Sequence, residues 1–235
     1  MTKEKYNFLE RAVNKFIEMI LARLVNAERL QVRIKANLKD LLAGKLDALT
    51  IEMWGFQLRR HLRVAEFQFN IGAAAVNIES VKRRKIELLY PSEGASRLVI
   101  TQAQLVTFLN AELADLFSEQ QKEIQLKEVN CELRKDGAIA FNFHWIRDRK
   151  VETGTSITIP KIESNGNAVI LTQHHIEGTQ PPSEFINATL TQISDILSLT
   201  DLANRGTTFH IQQLNIEADK ITVQANAYID RFPSN

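Results

Sequence analysis

His61-Leu62-Arg63-Val64-Ala65-Glu66-Phe67-Gln68-Phe69-Asn70-Ile71 is the stretch on which the fold turns. Apolar and polar side chains alternate along it, the period of a strand with one buried face. Leu62 and Val64 share one parity, while Phe67, Phe69 and Ile71 share the other. That change of phase predicts a β-bulge near Ala65-Glu66, the device by which a sheet bends. The neighbouring sequence agrees with a long antiparallel sheet. Leu30, Val32, Ile34 and Ala36 alternate with polar residues, and further alternating runs cover 46–54, 57–69, 73–78, 84–90 and 95–100. Asp136-Gly137 and Asn165-Gly166 each join two such runs in the manner of a tight hairpin. A last hairpin pairs 209–216 with 221–229.

Helices are predicted between these strands. From about Thr2 to about Glu28, Leu9, Val13, Phe16, Ile17, Ile20, Leu24 and Ala27 recur at helical spacing on one face. A short helix through Asp40–Ala43 stops at Gly44, the usual residue for a left-handed cap. Thr101-Gln102-Ala103-Gln104 is a capping box that opens a helix near 101–117. Ser183 is the expected N-cap of another near 183–197. No Gly/Ser-rich linker divides the chain, so the expectation is one α+β domain over 1–235. In it a long curved antiparallel sheet, 30–235, wraps around the amphipathic N-terminal helix of 1–29.

Composition sets the outer limits. The chain has 235 residues, 29 Lys+Arg against 28 Asp+Glu, and one cysteine, Cys131, which excludes a disulfide framework. No apolar run reaches the roughly 20 residues of a spanning helix, and no signal peptide is recognised. A cytoplasmic protein, able to sit peripherally on a membrane, is expected. The near-neutral total hides an asymmetry: residues 1–150 hold 25 basic and 19 acidic side chains, and 151–235 hold four and nine. Such segregation orients a molecule over an anionic surface.

Enzyme chemistry finds no support. Gly-x-Ser-x-Gly, P-loop and Gly-x-Gly-x-x-Gly patterns are missing. Cys131 lies in an alternating strand, as a small core residue does. His174 and His175 point to opposite faces of a strand and cannot share an ion. No catalytic residue, metal site or cofactor is therefore expected. The positive feature is basic: Arg59, Arg60 and Arg63, then Lys82, Arg83, Arg84 and Lys85. Near an anionic leaflet each exposed cation contributes about 1 kcal/mol. A nucleic-acid-binding or protein-interaction module is the alternative use of the same charges at 59–63 and 82–85. Nucleic acid is disfavoured, because the aromatic residues alternate as core residues do, whereas RNA recognition stacks bases on exposed rings.

The stretch Leu41-Leu42-Ala43-Gly44-Lys45-Leu46-Asp47-Ala48-Leu49-Thr50-Ile51 resembles the opening of the LmeA-like phospholipid-binding family. The likeness continues through 61–67, through Leu98-Val99-Ile100-Thr101 and its helix to Asn110, and into Ala225-Asn226-Ala227. The resemblance implies a tubular lipid-binding architecture and non-enzymatic binding of phospholipid, with transfer as an open further step. Acyl chains would lie against Phe16, Ile20, Leu24, Phe67, Phe69, Phe141 and Phe143, and the seven cations would meet the headgroup or an anionic membrane. The sequence is silent on oligomeric state.

Overall fold

The computed structural model describes residues 15, 18, 19, 22, 25–77, 79, 80, 87–118, 124–203 and 206–230. Their strands pair antiparallel in two main sheets and a small ribbon. The larger sheet has the order β1 (Arg29–Lys35), β3 (Ala48–Arg59), β4 (Leu62–Ile71), β6 (Ser92–Thr101), β12 (Lys220–Ile229), β11 (Thr207–Ile216). The smaller is an up-and-down meander of β7 (Ile124–Leu133), β8 (Ile139–Arg147), β9 (Lys150–Ile162) and β10 (Val169–Gly178). The ribbon joins β2 (Lys45–Leu46) to β5 (Ala74–Ala75). The described helices include α1 (Leu38–Leu42), α2 (Gln102–Phe117), α3 (Ser183–Leu197) and α4 (Thr200–Ala203).

The sequence led us to expect one sheet wrapped around a long N-terminal helix, and the structure overturns this. The chain is a sheet-rich single domain whose described helices are short. Most of 1–29, with Phe16, Ile20 and Leu24, lies outside the described residues. By Asn26 the backbone already serves the larger sheet: Gln57 N–H donates to the Asn26 carbonyl and Glu28 N–H to that of Trp54. The apolar faces of the sheets are covered instead by α2 and α3. Helix α2 packs on β4 and β6 of the larger sheet and on β7 of the smaller, while α3 packs on β10 and on α2. Leu105, Phe108, Leu109 and Leu113 of α2 are fully buried, each contributing about 1.5–3 kcal/mol. Periodicity announces that a helix has an apolar face; it does not name the face that meets it.

Local chemistry explains where α2 begins and how it is held. The Thr101 hydroxyl accepts from Gln104 N–H, and Gln104 Oε1 accepts from Thr101 N–H, so both halves of the capping box are present. Asn110 then reaches β7. Its Nδ2 donates to the Val129 carbonyl (2.7 Å) and its Oδ1 accepts from Val129 N–H (3.0 Å). Gln102 Oε1 accepts from Leu133 N–H in the same strand. Helix α3 differs from expectation at its start. Pro182, not Ser183, occupies the N-cap, and no side chain caps it. Its carbonyl accepts from Phe185 and Ile186 N–H.

The phase change in β4 is present, but the register does not slip at Ala65-Glu66. Pairing runs evenly through Trp54↔Glu66 and Phe56↔Val64, and the shift falls between Gln57 and Arg59. Burial changes parity on both strands at one level, from Met53 to Phe56 on β3 and from Val64 to Phe67 on β4. Gly55 explains this, because its φ of +58° turns the backbone over without an added residue. Arg63 secures the turn, with Nη1 donating to the Gly55 carbonyl (2.6 Å) and Nη2 to Asn26 Oδ1 (3.0 Å). A Cβ at 55 would run into the Glu28 side chain. Gly55→Ala is therefore expected to destabilise the protein by about 1 kcal/mol or more, measured by urea unfolding. An unchanged midpoint would refute the role given to the glycine.

Candidate functional site

Most of the buried apolar side chains of both sheets and of α2, α3 and α4 form one large core, and Ala138, Ala140 and Ile157 form a small second cluster. Phe67 and Phe69 come from β4, and Phe141 and Phe143 from β8, so the two sheets supply separate walls of it. Alternation places all four inward. Phe56, Phe67, Phe69 and Phe209 form a ladder with ring centroids 6.0, 6.0 and 6.2 Å apart, in tilted contacts. These separations fall within the roughly 4.5–7 Å over which aromatic pairs attract.

The first basic segment lies at the tip of a long hairpin. Arg59, Arg60 and Arg63 sit at or next to the tip joining β3 to β4, where acids on the helices meet them. The Arg59 side chain is only 16% exposed. Its Nε donates to Asp201 Oδ2 at 2.5 Å and its Nη1 to Gln192 Oε1 at 2.6 Å, and Asp195 lies 3.7 Å away. Arg60 remains 81% exposed, at 3.1 Å from Asp115, which also meets His61 Nε2 at 3.0 Å. Arg63 is occupied with Gly55 and Asn26. The tip is thus latched to α2, α3 and α4 by its own cations.

Lys82, Arg83, Arg84 and Lys85 lie outside the described residues. The chain on either side of them is placed at the opposite end of the hairpin, beyond Ile71. There Val76 bridges to Leu88, Asn77 N–H donates to the Glu87 carbonyl, and Leu89 N–H donates to that of Ala75. The twelve residues of β3 span roughly 40 Å at about 3.3 Å each. The described flanks of 82–85 and the 59–63 tip are separated by roughly that length. The runs expected at 73–78 and 84–90 contribute only β5 and this single bridge to the described strands.

Three further features bear on chemistry. Burial pushes the Cys131 thiol from its ordinary 9.0 up to about 12, with the Glu132 carboxylate adding to the effect. Among the described residues no group of three or more His, Cys, Asp or Glu side chains could hold a metal ion. A polar groove of about 480 Å³ crosses the smaller sheet, lined by Glu128, Asn130, Asn142, His144, Thr153, Thr155 and Glu177 among others. The groove and the acid partners Asp115, Asp195 and Asp201 were missed in the sequence. Nothing in a linear charge count pairs Arg59 with a residue 142 positions later.

Fold and site together define a sheet-rich protein whose apolar interior is covered by helices, with a cluster of arginines at the β3–β4 tip. The family model described as LmeA-like phospholipid-binding matches residues 6–226, and the chain belongs to that family. No curated protein and no solved structure gives a significant match. Among the described residues no helix is long and apolar enough to cross a membrane.

Three measurements test the latch and the buried thiol. Arg59→Ala is expected to lower stability by about 1–3 kcal/mol, since it strands two acids beside the helices. Arg60→Ala should change it by less than about 0.5 kcal/mol, as exposed pairs contribute little. Equal losses in a urea melt would contradict the latch. Cys131 should resist iodoacetamide at pH 8 until the protein unfolds. Because its pKa is raised in the folded state, its share of stability is intact below pH 9.0 and is lost as pH rises toward about 12. Cys131→Ala should remove that alkaline component from the pH dependence of unfolding.

Proposed function

We propose that the protein binds phospholipid without reacting with it. Acyl chains lie in the apolar interior between the sheets, and Lys82, Arg83, Arg84 and Lys85 contact the headgroup or an anionic leaflet. The observation that carries this reading is the family match over 6–226, taken with a large apolar core to which both sheets contribute. Each buried methylene of a chain contributes about 0.8 kcal/mol. Entry requires the ladder of Phe56, Phe67, Phe69 and Phe209 to part. Phe141 and Phe143 serve the opposite wall. Of the tip cations, Arg60 is the one whose exposure suits contact with a leaflet; Arg59 and Arg63 act through the fold.

The alternative, a nucleic-acid or protein-interaction module, draws on the same charges. Two observations weigh against it. Arg59 and Arg63 are engaged within the molecule, and the phenylalanines of both sheets are buried where no base could stack on them.

Native mass spectrometry of the purified protein should detect a co-purified phospholipid, and lipid extraction should identify its class. Replacement of Lys82, Arg83, Arg84 and Lys85 by Ser should weaken co-sedimentation with anionic liposomes, and added salt should weaken it further in the parent. Retention on single-stranded RNA, with no lipid bound and no liposome association, would replace this reading with the alternative.

A further inference from the structure

We propose that Leu89 and Tyr90 form an apolar tip that inserts into the interfacial layer of an anionic lipid surface. The inference rests on the reading that this protein works on phospholipid, and it adds residues, a docking end and an orientation to it.

The geometry begins with a three-ply ribbon at the end of the β3–β4 hairpin remote from Arg59. Lys45 pairs with Ala75, Val76 N–H donates to the Gly44 carbonyl, and Leu89 N–H donates to the Ala75 carbonyl. The ribbon is anchored from below: Leu46, Ala74 and Ala75 are buried, and Leu88 packs on the core. Leu88 faces in, and the next two residues face out. Leu89 is 60% exposed and Tyr90 53%. The other exposed large apolar residues of the described chain, such as Leu116, Val151, Ile159, Ile170 and Tyr228, are not sequence neighbours. Scattered singly, such residues are ordinary on a protein surface. Two in succession, held up by a hydrogen-bonded ribbon, form a protrusion already ordered before it meets a partner.

The chemistry of the surroundings selects the partner. A tyrosine pairs an apolar ring with a polar tip, which suits the boundary between headgroups and acyl chains. Lys35, Lys39 and Lys45 are exposed at this same end, since Lys35 pairs with Ala48 at the start of β3 and Lys45 lies in the ribbon. No ion pair engages these three lysines among the described residues, whereas the tip cations Arg59 and Arg60 have acid partners. The nearby acids of the described chain include Asp40, which is hydrogen-bonded to Asn37, Glu87, whose carboxylate accepts from Asn77 Nδ2, and the exposed Asp47 and Glu93. Unpaired lysines around an apolar protrusion match anionic headgroups around exposed acyl chains.

The test measures co-sedimentation with vesicles of phosphatidylcholine containing phosphatidylglycerol. Leu89→Ser combined with Tyr90→Ser should weaken partitioning roughly tenfold, while Val151→Ser leaves it as in the parent. Because both side chains are exposed, the double variant should melt with the parent. A second measurement needs no loss of function. Cys131 is buried and unreactive, so Leu89→Cys can be labelled alone with an environment-sensitive dye. The label should shift to the blue on vesicles and be quenched by spin-labelled lipid, and a label at Val151→Cys should not. Unchanged partitioning in the double variant, an unshifted label, a parent that ignores vesicles, or a double variant that alters only self-association would each overturn the proposal. Capture of a monomeric short-chain phospholipid by the parent is scored separately. Its failure would sink the functional reading above while leaving the vesicle result to stand or fall by itself.

Discussion

Asn110 is the point at which the two sheets become one protein. Its carboxamide satisfies both backbone groups of Val129 on β7, while the opposite face of its helix is buried against β4 and β6. Neither sheet could keep its apolar face without a cover, and α2 covers both. A helix in that position must be apolar on two sides and still provide polar groups for the backbone it borders. Leu105, Phe108, Leu109 and Leu113 answer the first demand, and Gln102 and Asn110 the second. The Gly166 carbonyl, which accepts from Ile211 N–H across the sheets at 2.7 Å, adds a second fastening.

From this arrangement follows a molecule with two unlike ends. The β3–β4 hairpin runs the length of the larger sheet, so whatever sits at its tip is remote from whatever follows Ile71. At the tip, Arg59 reaches acids supplied by α3 and α4, and its charge closes that end. At the other end a short ribbon supports exposed lysines and two outward apolar side chains. Proteins of similar composition can differ completely in behaviour according to whether their cations find acids inside the same chain. Here one cluster does, and the charge count alone cannot distinguish it from one that does not.

Much of the fold was legible because alternation and turn chemistry are local. The hairpins at Gly137 and Gly166 carry the left-handed φ that their Asp-Gly and Asn-Gly sequences announce, and Thr101 and Gln104 form the capping box their spacing predicts. The parity switch at Ala65-Glu66 was visible, but its cause was not, because Gly55 sits on the partner strand. What covered the sheets was also hidden. The N-terminal stripe and the stripe of α2 have the same period, and nothing in a period says which helix lies inside. The candidate site divides the same way. Phe67, Phe69, Phe141 and Phe143 were placed inward by alternation, whereas the partners of Arg59 lie beyond the reach of any local pattern.

The order of strands in the larger sheet has a consequence for how the molecule is made. β6 lies between β4 and β12, and Thr101 pairs with Lys220. At about 5–20 residues per second, a ribosome delivers Lys220 roughly 6–24 s after Thr101. Through that interval β6 presents an open edge, with Leu98 and Ile100 on its apolar face. The meander β7–β10 emerges meanwhile as three successive hairpins and can close first, bringing α2 with it. The N-terminal half of the larger sheet then waits on an already folded neighbour, and the hairpin of β11 and β12 is the one that completes it.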